Sequence, residues 1–184
     1  MRHVIALVVI LLIIQAIALK ILGQPLICVC NHIKLWEGVV LSSDNSQHIS
    51  DWYSFSHLIH GFIFYFLSRL MFPRARISTL FLFSLGIEVT WEIIENTPMV
   101  IEHYRQQALA MGYKGDSIIN SLFDSIFMML GFLLAYKLPV WLSILIVIGL
   151  ELWVGYEIRD NLTLNIINLI HDFPAIHSWQ AGGD

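Results

Sequence analysis

Between Ile77 and Asn96 an apolar run long enough to cross a bilayer carries three carboxylates, Glu88, Glu92 and Glu95. Their i, i+4, i+7 spacing puts all three on one face of a helix. A carboxylate at mid-bilayer costs roughly 2.5–3.5 kcal/mol even on insertion scales, so that face cannot look at lipid. It has to meet polar partners supplied by other segments.

Other segments of the same kind are plentiful. Hydrophobic residues make up 57% of the 184 and charged residues 13%, and the mean hydropathy is +0.71, which is the composition of a polytopic membrane protein rather than a soluble domain. A net charge of −4 with ten scattered Lys and Arg leaves no basic surface for nucleic acid. No Gly-rich phosphate loop, G-x-S-x-G elbow or internal repeat is present.

The apolar runs predict an all-α, polytopic membrane bundle of about five transmembrane helices in a single membrane domain over residues 1–184. The helices are expected at about 4–22, 53–71, 77–96, 116–136 and 138–157, with a long polar loop at 23–52. The first run reads as an anchor, and the competing reading is a signal peptide cut after Ala16-Ile17-Ala18. Arg69, Arg74 and Arg76 form the densest basic segment, so the turn between the second and third helices is expected in the cytoplasm. That orientation puts the N-terminus inside, and it puts the loop 23–52 and the C-terminus outside. In the loop, Cys28 and Cys30 lack the two-residue gap of common zinc and redox motifs. They read either as a local disulfide or as two free interfacial cysteines.

Measured at about 1.5 Å per residue, His57 and His60 lie roughly 6–10 Å below the start of the second helix, and Asn120 and Asp124 roughly 6–12 Å below the start of the fourth. Glu88 and Glu92 lie at a similar depth from Asn96. The ionisable groups of three antiparallel helices therefore occupy one layer, on the outer side. Two histidines among carboxylates suit zinc, manganese or iron, and the expected ligands are His57, His60, Glu88, Glu92 and Asp124. Glu95 or Asp116 is the expected general base for a metal-bound water, and Asn120 is expected to position a substrate. The competing readings are an acidic pocket that binds a small-molecule or cationic ligand without catalysis, and a hydrogen-bonded network that only holds helices together. Continuous apolar inner halves argue against a transport route.

The motifs SSDNSQH (42–48), YSFSHLIHG (53–61), EVTWEIIEN (88–96), GDSIINSLFD (115–124) and IRDNLTLN (158–165) resemble those of an uncharacterised bacterial family of small multispanning membrane proteins. More distantly, the histidine, W-E and G-D-x-x-x-N-x-x-D pattern is similar to VanZ-like proteins. The resemblance implies an inner-membrane location and lends no activity. Joined to the polar layer, it makes a metal-dependent activity on a lipid or lipid-linked substrate the expected function, with a non-catalytic binding or accessory role as the alternative.

Overall fold

The computed structural model describes residues 2–110 and 112–182. Among these no strand forms beyond an isolated bridge between Glu37 and Asp51. The five long helices are α1 (Arg2–Ile21), α2 (Ser54–Met71), α3 (Ile77–Glu95), α5 (Ile118–Lys137) and α6 (Val140–Ile158). Three short ones complete the chain, α4 (Pro98–Tyr104), α7 (Leu162–Ile170) and α8 (Pro174–Gln180). α1, α3, α5 and α6 are each long and apolar enough to cross a membrane. α2 has comparable length at 18 residues, but His57, His60 and three serines lower its hydropathy, and it packs inside the bundle rather than around it. The result is a helical membrane bundle.

α2 and α5 form the centre. They touch through two glycines, because a Cβ on Gly61 would run into the backbone of Met128 and Phe132, and one on Gly131 would run into the Leu58 carbonyl. Small residues that let backbones meet are the usual device for packing helices in lipid, where apolar burial gives no drive of its own. α1 and α3 pack on this pair. Around Leu80, Leu85, Val89, Met128 and Phe132 they build an apolar core with Val8, Leu11 and Phe64. α6 fully buries only Val154 and leaves its other apolar side chains half-buried or exposed, as expected of a helix that meets lipid.

Polar structure collects at one end. There the loop between α1 and α2 satisfies the free amides that begin α5. Ser117 N donates to Ser46 O at 2.9 Å, Ile118 N to Pro25 O at 2.8 Å and Ile119 N to Leu26 O at 3.1 Å. Cys28 and Cys30 in this loop are joined by a disulfide. Trp36, Trp52, Phe55 and Trp153 pack edge to face with one another, as aromatic residues do at a membrane interface. Glu151, inside α6, accepts from the amides of Leu162 at 3.1 Å and Thr163 at 3.0 Å. It therefore caps α7 instead of joining the carboxylate layer.

Candidate metal centre in the polar layer

Each carboxylate on α3 has its own surroundings. Glu88 is fully buried, and both of its oxygens are engaged by α2, with His57 Nδ1 at 2.6 Å from Oε1 and His60 Nδ1 at 3.1 Å from Oε2. An ionised carboxylate only accepts, so both rings present their Nδ1 hydrogens to it. The three-residue spacing of the histidines on α2 makes this double grip possible, since it places both rings over one point of α3.

Glu92, also fully buried, is held differently. Its Oε2 accepts the Ser121 hydroxyl at 2.6 Å. Ser121 in turn accepts from Gln15 Nε2 at 2.7 Å, and Gln15 Oε1 accepts the Ser125 hydroxyl at 2.9 Å. An amide nitrogen can only donate, so the direction of the whole chain is forced and the Ser121 proton points at Glu92. The other oxygen, Oε1, lies 3.2 Å from His57 Nδ1 yet has no hydrogen-bond donor, because the His57 N–H is spent on Glu88. A buried carboxylate oxygen without a donor calls for a ligand or a proton.

One nitrogen or oxygen of each of His57, Glu92 and Glu95 falls within 4.8 Å of the others, and the same holds for His57, His60 and Glu88. The two groups share His57. Among the described residues no Lys or Arg is ion-paired to any of these carboxylates, and Arg159 is turned to the Trp179 carbonyl at 2.9 Å. Positive charge at the site therefore comes from the histidines, from protons or from a bound cation.

His57 and Glu95 line a partly enclosed cavity of about 50 Å³ together with Tyr53, Tyr104, Asp116 and Asp124. That is room for a few water molecules or one small polar group. Asp124 takes the Ser54 hydroxyl at 3.0 Å and belongs to neither ligand group. Asp116 is clasped by Asn96 Nδ2 at 2.7 Å and the Tyr113 hydroxyl at 2.8 Å. Burial nonetheless pushes its carboxyl up from the usual range. Asn120 is not on the cavity wall. Its amide donates to His48 O at 2.9 Å and approaches Asp51 Oδ2 at 3.5 Å, so it ties the loop to α5. The C-terminal segment closes the cavity through Asp160, which accepts from Tyr53 and from Gln180, each at 3.1 Å.

A family model described as a protein of unknown function (DUF2585) matches residues 19–182. The chain belongs to this uncharacterised family. A UPF0314 protein of Sinorhizobium fredii is 52% identical over 169 residues, covering 92% of this chain and 86% of the relative. One from Rhizobium etli is 49% identical over 171 residues, 93% and 88% of the two chains. One from Sphingopyxis alaskensis is 47% identical over 168 residues, 91% and 89%. These matches give no support to the more distant VanZ likeness. No solved structure matches the chain. The family match begins at residue 19 and so leaves out Gln15, the residue by which α1 reaches Glu92.

Gln15 and Ser121 are the residues that sequence reasoning missed, along with Tyr53 and Asp160 around the cavity. One signal for Gln15 was present. A single amide in the middle of an otherwise apolar spanning helix is costly unless it finds a partner.

Proposed function

We propose that the protein is a multi-pass protein of the bacterial inner membrane that binds a divalent transition metal, zinc, manganese or iron, through His57, Glu92 and Glu95. The observation that carries this reading is Glu92 Oε1, buried, without a donor, and grouped with a histidine and a second carboxylate. Both oxygens of Glu88 are taken by imidazoles, so Glu88 orients His57 and His60 rather than binding the ion, the usual arrangement behind a histidine ligand. His60 belongs with Glu88 in this scheme, and Asp124 faces the cavity beyond the ligand set.

The site lies in the half of the membrane away from the Arg69–Arg76 turn. The basic turn favours a cytoplasmic location for that end, and the Cys28–Cys30 disulfide favours an oxidising compartment for the other. The N-terminus is then cytoplasmic and the C-terminus extracytoplasmic. A C-terminal alkaline phosphatase fusion is expected to be active and a C-terminal green fluorescent protein fusion dark, and the reverse pattern overturns the orientation.

A second reading, a metal-dependent enzyme acting on a lipid or lipid-linked substrate, draws support from the cavity beside His57 and Glu95. It admits a polar headgroup fragment and not a whole lipid. With Glu95 in the ligand set, Asp116 would act as base from the cavity wall that it shares with Asp124 and Asp160, and a bound metal would supply Lewis acidity. Asn120 has no part in it, being committed to His48. The metal itself is tested by thermal unfolding in detergent. Binding of one of the three ions stabilises the wild type and leaves Glu92→Gln unmoved, whereas equal shifts in both proteins count against the site.

A further inference from the structure

The loop between α1 and α2 carries a second cluster that the membrane site does not use. Cys28, Cys30, Asp44 and His48 each place one ligand atom within 4.8 Å of the others. His48 is buried, and its Nε2 has no hydrogen-bond partner. That nitrogen lies 3.9 Å from Asp44 Oδ2 and 4.0 Å from Glu37 Oε2. Separations of this size are close to the ligand–ligand edges of a tetrahedral zinc centre, whose bonds run about 2.0–2.3 Å. With the disulfide reduced, the four residues would offer two soft thiolates, an imidazole and a carboxylate, a set suited to zinc. The C-x-C spacing alone did not point to a metal, and the fold supplies what was absent from it by bringing Asp44 and His48 to the sulfurs.

We propose that Cys28, Cys30, Asp44 and His48 form a redox-gated site for a thiophilic divalent cation, closed while the disulfide is intact and opened by its reduction. A dithiol reductant supplies two electrons and two protons and closes to its own disulfide, leaving Cys28 and Cys30 as thiols. Binding of Zn²⁺ then releases the two thiol protons. Coordination through His48 Nε2 moves the ring proton to Nδ1, so the loop gives up the Lys34 N–H contact to Nδ1, now 3.2 Å. One neutral hydrogen bond is a small loss against two metal–thiolate bonds. Lys34 Nζ, at 3.5 Å from Asp44 and 2.6 Å from Glu37, swings to Glu37 alone as Asp44 turns to the ion. The site touches the membrane layer where Asn120 on α5 donates to the His48 carbonyl at 2.9 Å.

The test uses the full-length protein in detergent and Co²⁺ as probe, before and after reduction with a phosphine that is then removed. The expected result is about one further equivalent of Co²⁺ in the reduced protein, with a thiolate-to-cobalt charge-transfer band that a carboxylate–imidazole site cannot give. Cys28→Ser weakens the band, replacing both Cys28 and Cys30 by serine abolishes it, and His48→Ala lowers the affinity at least tenfold. The same stoichiometry in oxidised and reduced wild type, or no thiolate band after reduction, overturns the proposal. Retention of full affinity in His48→Ala overturns the ligand set. The comparison of oxidised with reduced wild type needs no substitution. Cobalt bound by the oxidised protein reports on the membrane site alone, so failure of one site is distinct from failure of the other.

Discussion

The Ser121 hydroxyl on α5 stands 2.6 Å from Glu92 Oε2 on α3, and behind it Gln15 of α1 donates to the same serine at 2.7 Å. Three helices thus fix one oxygen of Glu92, the proposed metal ligand. Gln15→Leu removes the donor and leaves the buried Ser121 and Ser125 hydroxyls short of partners. The expected cost is about 1–3 kcal/mol of stability, with weaker metal binding because Glu92 is less firmly held. Thermal unfolding and metal titration on the purified variant check both. Wild-type values in both would show that α1 is only an anchor.

Glu88 is assigned to orientation. In Glu88→Gln the amide keeps one acceptor for the two imidazoles instead of two and no longer fixes their tautomers. Loss of an outer carboxylate behind a histidine ligand typically costs about 10–100-fold in metal affinity, and that is the expected effect here by competition titration. Complete loss of binding would make Glu88 a ligand, and an unchanged affinity would detach it from the site.

Close contact between α2 and α5 depends on Gly61 and Gly131, where an added methyl group meets backbone and has no room to move. Gly131→Ala is expected to destabilise by about 3 kcal/mol, the upper end of the usual cost of core overpacking, because the added methyl meets backbone. Gly149→Ala, on α6, meets nothing within 4 Å and serves as the neutral control. Detergent-solubilised yield and unfolding temperature separate the two.

Burial pushes the Asp160 carboxyl up to about 6 from 3.8, against the opposing effect of the Asn161 amide. The folded state therefore holds this proton more tightly than the unfolded chain does. Below pH 4 both forms are protonated and nothing is lost. As pH rises from about 4 to 6 the unfolded chain ionises first, so stability falls across that window by up to about 3 kcal/mol and is flat above it. Asp160→Asn is expected to remove this component. Unfolding curves for wild type and variant from pH 4 to 8 should converge at the acid end and diverge as pH rises, and parallel curves would contradict the assignment.

How much of this could be read from the residues depends on what membranes forbid. Apolar runs of spanning length have few alternatives, so the expected ends of the five long helices lie within two residues of those observed. Carboxylates at Glu88, Glu92 and Glu95 cannot face lipid, which made the polar layer legible before any coordinates. The partners within the layer were not. The spacing of His57 and His60 says that they share a face, but not that they converge on Glu88 rather than Asp124. Gln15 announces only that it needs a partner somewhere. Asp116 stays on the cavity wall, clasped by Asn96 and Tyr113, whereas Asn120 is turned to the loop 23–52, and loop closure leaves no periodic trace in a sequence. Cys28 and Cys30 were ambiguous for the same reason, since Asp44 and His48 reach them only through the folded loop.

The most direct measurement is elemental analysis of the purified, unreduced protein after expression with zinc, manganese and iron each supplied, beside Glu92→Gln prepared in parallel. The expected result is about one equivalent of one of these metals in the wild type and little in the variant. Less than about 0.1 equivalent of any transition metal in the wild type, unchanged by supplementation, would contradict the metal centre at His57, Glu92 and Glu95.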